Sequence, residues 1–222
     1  MMASSPTRRP TKRSRPTKRS ALLRWAIVAG VVAVLAAIFI VIIAFQPTTT
    51  TGKMSSAGYA VGSPGVGAQA PAFSLPATTG GTVTLSDYRG KTVLLYFHEG
   101  LGCQPCWDQI RDLDVAGAQL KAAGVDQLLT ITSGPVNLIA QKMADDNLTA
   151  IALADTNLKV STTYNANQYG MMGDSRDGHT FILVGPDGRI QWRADYGGSP
   201  NYTMYVPVNK LLADLQAGRT TK

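Results

Sequence analysis

Apolar and polar positions follow three regimes along the chain. From Ala26 to Phe45 the residues AIVAGVVAVLAAIFIVIIAF form twenty positions without a charge or an amide. At about 1.5 Å per residue such a run matches the ~30 Å hydrocarbon core of a bilayer. From Gln46 to Val66 the sequence is rich in Thr, Ser, Gly and Pro and has no apolar period. From Gly67 onward short apolar runs alternate with turn residues. Strands are expected at Val83–Leu85 and at 92–97. The unbroken run Val93–Phe97 reads as a central strand covered on both faces. Cys106, Ile110, Leu113, Gly117 and Leu120 then recur at helical spacing, with Asp108, Asp112 and Gln119 opposite, which predicts an amphipathic helix starting at the cysteines. A strand over 125–132, a helix over 135–145 opened by Pro135, a strand over 150–154 and a short helix over 156–164 follow. A hairpin joins 179–184 to 189–196 through Gly185-Pro186-Asp187-Gly188, and Val208, Leu211, Leu212 and Leu215 mark a last helix. The pattern is α/β, a mixed sheet with helices on both faces.

Charge divides the chain the same way. The net charge is +7. Arg8, Arg9, Lys12, Arg13, Arg15, Lys18, Arg19 and Arg24 precede any acid, and the remaining thirteen basic residues against fourteen acidic ones give −1. The body of the protein therefore offers no electrostatic reason to bind nucleic acid. The tail repeats RPTKRS at 9–14 and 15–20. Its lack of apolar residues predicts disorder, and its charge predicts attraction to anionic headgroups or a topology signal alone. The expected organisation is a basic cytoplasmic tail over 1–24, a transmembrane helix over 25–45, a flexible linker over 46–66 spanning roughly 25 Å, and an extracytoplasmic domain over 67–222. The basic side of the helix sets that orientation. A cleaved signal peptide is the competing reading, but its apolar core would be shorter, about 7–15 residues.

The two cysteines of the chain are Cys103 and Cys106. This spacing on a first helical turn puts both sulfurs within bonding reach and leaves Cys103 at the helix N-terminus, where unpaired N–H groups and the helix dipole favour a thiolate. Cys103 is then the attacking thiol and Cys106, on the apolar face, the resolving one. Pro105 suits the first turn because the missing N–H costs nothing there. A structural disulfide closing so short a loop would restrain little of the unfolded chain, and a zinc site would have to draw on His98 and His179 to reach four ligands.

Gly67-x-x-Ala-Pro-x-Phe-x-Leu, Leu85-Ser86-Asp87-Tyr88-Arg89-Gly90-Lys91, the strand leading into Cys-x-x-Cys, and the closing TFILVGPDGRI resemble the redoxin branch of the thioredoxin-like superfamily (AhpC/TSA, TlpA/ResA-like) across nearly all of 67–217. The resemblance implies a thioredoxin-like fold, here behind one N-terminal transmembrane helix, and redox chemistry at the dithiol with no cofactor. Peroxiredoxins of this superfamily carry Thr or Ser three residues before the reacting cysteine and Pro seven before. Counting back from Cys103 gives Gly100 and Tyr96, and from Cys106 gives Cys103 and Glu99. The leading expectation is therefore a membrane-anchored thiol:disulfide oxidoreductase acting on protein disulfides or dithiols and reset by a separate redox partner. A peroxide-reducing antioxidant protein is the alternative.

Thioredoxins place a cis-proline before the strand that here starts at Thr180, whereas this chain has Asp177-Gly178-His179. His179 is accordingly expected near Cys103, to stabilise a thiolate or pass a proton. Glu99, the single glutamate, or His98 is expected to act as the base for the resolving thiol, in place of the buried carboxylate of thioredoxins. A further alternative is a Sco-like copper chaperone using Cys103, Cys106 and His179 as soft ligands.

Overall fold

A computed structural model describes residues 30–36, 38, 53–54 and 58–220. The chain divides into two units, 1–49 and 50–222. In the first, residues 30–36 and 38 are helical, and Val31, Val32, Val34, Leu35 and Ile38 expose their side chains. The tail expected over 1–24 and most of the span expected over 25–45 lie outside the described residues. Among the described residues no helix is long and apolar enough to cross a membrane.

The second unit is organised by the strand read as central. Strand β5 (Val93–His98) is buried along its whole length. It pairs in parallel with β6 (Gln127–Thr132) and antiparallel with β8 (Thr180–Val184). Strand β7 (Ile151–Ala154) extends the parallel side, and β9 (Ile190–Asp195) extends the antiparallel side. Two short strands, β1 (Lys53–Met54) and β2 (Ala60–Val61), complete the order β1-β2-β9-β8-β5-β6-β7. The sheet thus begins inside the segment read as a linker, because Ala60 pairs with Asp195 at the edge of β9. A separate hairpin of β3 (Ser74–Pro76) and β4 (Thr82–Thr84) leads into a 3-10 turn at Leu85–Tyr88.

Alternation along β5 divides the core. Leu94 and Tyr96 join Trp107, Ile110 and Leu113 of helix α1 (Gln104–Val115), Ile139 and Met143 of α3 (Val136–Asp145), and Leu211 and Leu215 of α5 (Val208–Gly218). Val93, Leu95 and Phe97 face the other way, onto Phe73, Leu75 and the short helix α4 (Lys159–Thr163) through Val160. Helices therefore lie on both faces, as the apolar pattern predicts.

Two helices differ from the expectation. The helix drawn through Leu120 is interrupted at Ala116, and α2 (Gly117–Ala122) follows. The break falls just before Gly117, the residue with the least helical commitment. Helix α4 starts three residues later than expected, since Leu158 is left-handed (φ 57°) and the Asp155 carboxylate caps the N–H groups of Val160 and Ser161.

Candidate active site

Strand β5 delivers the chain to the dithiol through Glu99-Gly100-Leu101-Gly102. Gly100 has φ +87°, and a Cβ there would stand 2.7 Å from Thr132 Oγ1 and 3.0 Å from the Ser133 carbonyl. Only glycine lets this turn pack so closely on the end of β6. The Gly100 carbonyl accepts from the Cys103 N–H at 3.0 Å and from Trp107 Nε1 at 3.0 Å, which fixes the first turn of α1. Cys103 is the residue that caps α1, and its carbonyl accepts from the N–H of Cys106 at 3.0 Å and of Trp107 at 3.3 Å.

The two sulfurs are bonded at 2.07 Å, with Cα atoms 5.3 Å apart. Cys103 keeps 8% of its surface exposed while Cys106 keeps none. An incoming reagent therefore meets Cys103 first, and Cys106 works from behind it. Met204, from the loop after β9, packs with both cysteines. It is a contact that no local spacing announces, since it is nearly a hundred positions away in the chain.

Beneath the dithiol helix the sheet presents an aromatic cluster. The antiparallel register that pairs Tyr96 with Phe181 and Phe97 with Thr180 brings the residues flanking it, His98 and His179, to adjoining ends of β5 and β8. Tyr96 Oη and His179 Nδ1 are 3.0 Å apart. The Tyr96 ring stacks on His98 at 5.2 Å and meets His179 edge-on at 5.1 Å. His98 in turn meets Trp107 edge-on at 5.3 Å. Both histidines are fully buried. Burial lowers the pKa of each to about 3, with the other imidazole adding to the effect at His179, so both are neutral near pH 7. Neither ring nitrogen of His98 has a hydrogen-bond partner, and Nε2 of His179 has none.

Glu99 points elsewhere. Its Oε1 accepts from the Met171 N–H and, at 3.2 Å, from the Met172 N–H, and a Cβ on Gly170 would lie 2.7 Å from that oxygen. The carboxylate pins the 170–172 turn to the dithiol loop. Among the described residues no group of three or more His, Cys, Asp or Glu side chains could hold a metal ion, so Cys103, Cys106 and His179 do not converge as a copper ligand set.

Two further buried acids escape sequence reasoning. Asp195 pairs with Arg193 at 2.8 Å, both fully buried. Asp177 is also fully buried, and neither carboxyl oxygen forms a hydrogen bond of standard geometry. Burial raises its pKa well above the carboxylate range and the Asp155 carboxylate raises it further, while Ser133 opposes both. Asp177 lies two residues before His179, but only the tertiary fold reveals that it is buried.

A four-stranded core of β6, β5, β8 and β9, helices on both faces and a cysteine pair at the head of α1 define an α/β oxidoreductase of thioredoxin-like fold. The chain belongs to the AhpC/TSA family, whose pattern matches residues 66–193. It is 33% identical over 126 residues to peroxiredoxin Bcp of Escherichia coli K12, a match covering 55% of this chain and 80% of that protein. In fold it is similar to peroxidoxin BcpB of Mycobacterium tuberculosis, with a TM-score of 0.56 at 19% identity over 70% of this chain and 98% of that one. It is also similar in fold to a protein of Chlorobium tepidum described as a thiol:disulfide interchange protein, DsbE, with a TM-score of 0.52 at 23% identity over 69% and 96% of the two chains.

Proposed function

We propose that the protein is a two-cysteine peroxide reductase in which Cys103 reacts with the peroxide and Cys106 resolves. One observation carries the reading: a bonded Cys103–Cys106 pair heads α1 in a chain that is 33% identical to a peroxiredoxin over 126 residues. The Cys103 thiolate attacks one peroxide oxygen, the O–O bond breaks, and the other oxygen leaves as hydroxide or alkoxide and takes up a proton. Cys103 is left as a sulfenic acid. Cys106 then attacks the Cys103 sulfur, water leaves, and the disulfide seen in the structure forms. A dithiol partner returns the pair to the reduced state. The ranking reverses the sequence-based expectation, which put thiol:disulfide exchange first.

Exchange with protein disulfides remains the second reading, and a specific observation favours it. Gly100 and Tyr96 stand three and seven residues before Cys103, and Tyr96 is fully buried and bonded to His179. The hydroxyl and proline of the peroxidatic loop are thus replaced by groups that build no peroxide pocket of that kind. The deciding experiment mixes reduced full-length protein separately with hydrogen peroxide and with a model disulfide and follows thiol loss. Oxidation at least about tenfold faster by peroxide supports the peroxidase. Fast transfer to the disulfide with sluggish peroxide reaction overturns it in favour of exchange.

We further propose that the apolar segment 26–45 anchors the chain in a membrane, with the basic residues cytoplasmic and the redox domain outside. The length of that segment, the eight basic residues before it and the exposed side chains of Val31, Val32, Val34, Leu35 and Ile38 support this reading. Outside the cytoplasm a disulfide persists, which fits a cycle that rests in the bonded state.

A further inference from the structure

Among the described residues, a small buried cluster of Cys103, Cys106 and Met204 stands apart from the two main cores. Met204 lies in the segment 203–207 that leads from β9 to α5. Alternate residues of this segment turn inwards: Met204 and Val206 are buried, while Thr203, Tyr205 and Pro207 are more open. Val206 joins the core around Trp107, whereas Met204 packs on the cysteine pair. An unbranched, polarisable thioether suits the irregular surface of a disulfide.

The segment is tied to the dithiol helix independently of the Met204 side chain. The Val206 N–H donates to Oε1 of Gln109 at 2.7 Å, and the Tyr205 hydroxyl donates to the Asp112 carboxylate, both on α1. Gln109 is fully buried, and in that dry setting the bond is stronger than a surface one. On the other side of Met204, the Thr203 N–H donates to the Tyr196 carbonyl at 3.1 Å, and residues 199–202 are exposed. Met204 is thus held over the pair by backbone ties that a change of its side chain leaves in place.

Access to the sulfurs is narrow, since Cys106 has no exposed surface and Cys103 keeps little. Hydrogen peroxide is hardly larger than water and has to bring one oxygen to Cys103. A polypeptide disulfide has to bring a sulfur flanked by its own chain. We propose that Met204 is the specificity-determining residue of the site: its side chain covers the cysteine pair, admitting hydrogen peroxide and small hydroperoxides and holding off bulky ones and polypeptide disulfides. The inference rests on the peroxidase reading above and names its substrate class.

The same cover acts on the return step. A reductant thiolate attacks the Cys103 sulfur, the bond to Cys106 breaks, and its electron pair leaves with Cys106, which takes up a proton. The second thiolate of the reductant then attacks its own bonded sulfur, and Cys103 leaves as a thiolate. The reductant ends as a disulfide and the pair as a dithiol. Because the first attack also falls on Cys103, the size of the reductant is read by the same side chain.

The test compares full-length wild type with Met204→Ala and Met204→Leu. The disulfide is reduced with dithiothreitol and, separately, with a reduced thioredoxin. The reduced protein is then oxidised with hydrogen peroxide and, separately, with cumene hydroperoxide. In Met204→Ala the rate ratio of small to bulky reagent should fall about tenfold in both comparisons, the discrimination that a difference of one or two methylenes gives. Met204→Leu, which keeps the bulk without the sulfur, should stay near the wild-type ratio. An unchanged ratio in Met204→Ala, in either comparison where both reagents react, overturns the proposal. So does a Met204→Leu that behaves like Met204→Ala, because the sulfur and not the cover would then set the rate. Met204→Val, a smaller truncation, takes the place of Met204→Ala if that variant does not fold. Reduction of the disulfide needs no peroxide turnover. If neither peroxide reacts with the wild type, the peroxidase reading falls, and the reduction rates still decide whether Met204 is a cover.

Discussion

Two fully buried aspartates, Asp195 and Asp177, flank the same strand β8 and are treated in opposite ways. Asp195 accepts from Arg193 Nε at 2.8 Å, from Thr180 Oγ1 at 2.8 Å and from the Gly62 N–H at 2.6 Å. Arg193 also donates to the carbonyls of Pro64 and Tyr164 and lies over the Tyr169 ring at 5.7 Å. The pair staples the edge segment 62–64 and the loop 164–169 to β9. Among the described residues no cation pairs with Asp177. It faces the Asp155 carboxylate, whose oxygens are already used by the N–H groups of Val160 and Ser161, and it is driven towards the protonated form. One acid is held in a buried ion pair and the other is pushed towards its neutral form by burial and the Asp155 carboxylate, so the supply of partners makes the difference.

Breaking the fixed pair gives the largest effect. Arg193→Met leaves Asp195 buried without its cation, and such single removals cost about 3–5 kcal/mol. Chemical denaturation should therefore show a large drop in midpoint, and Arg193→Met with Asp195→Leu should recover much of it, because the double change leaves no uncompensated charge. A double variant as unstable as the single one would mean that the hydrogen bonds to Gly62, Pro64 and Tyr164, rather than the charge pair, hold the segment.

Asp177 sharpens the contrast through pH. Its folded pKa is raised, so above about pH 4 the folded state holds a proton that the unfolded state releases. Its contribution is full below the unfolded pKa and is lost as pH rises towards the folded one. Asp177→Asn removes that loss. Its melting temperature should match the wild type near pH 4 and exceed it at pH 8 by the equivalent of about 1 kcal/mol. His98 and His179 act with the opposite sign. Their folded pKa values of about 3 lie below the unfolded 6.5, so they favour the folded state above pH 6.5 and lose that contribution as pH falls towards 3. The difference between variant and wild type cancels the imidazole contribution and isolates Asp177.

The central strands β5 to β9 were legible because each carries its own apolar run, and α1 because it carries its own period. The dithiol was legible because its chemistry depends on local spacing. The pairings around it were not. RIQWRADY reads as one arm of a hairpin, which says nothing of Arg193 and Asp195, yet both are buried because segments distant in sequence, 62–64 and 164–169, cover that edge of the sheet. His98 and His179 stood out as the only two histidines, but their adjacency depends on the antiparallel register of β5 against β8, which no single strand encodes. The loop residue Met204 was invisible for the same reason. The segment 46–66 looked like a tether by composition, and two-residue strands pairing at a sheet edge are too short to show a period.

Glu99 provides the smallest effect and the cleanest separation of roles. As the acceptor of the Met171 and Met172 amides it fixes a turn, whereas as the base for Cys106 it would control a rate. Glu99→Gln keeps an oxygen in place and removes the charge, so two charge-assisted bonds become ordinary ones at a cost of about 1 kcal/mol. Amide exchange at Met171 and Met172 should accelerate roughly fivefold, as a local opening of that size requires. The pH dependence of disulfide closure should stay where it is, since Glu99 Oε1 is committed to the two amides of that turn. A closure rate that falls and becomes steeply dependent on hydroxide in Glu99→Gln, with amide exchange unchanged, would make Glu99 the base for Cys106.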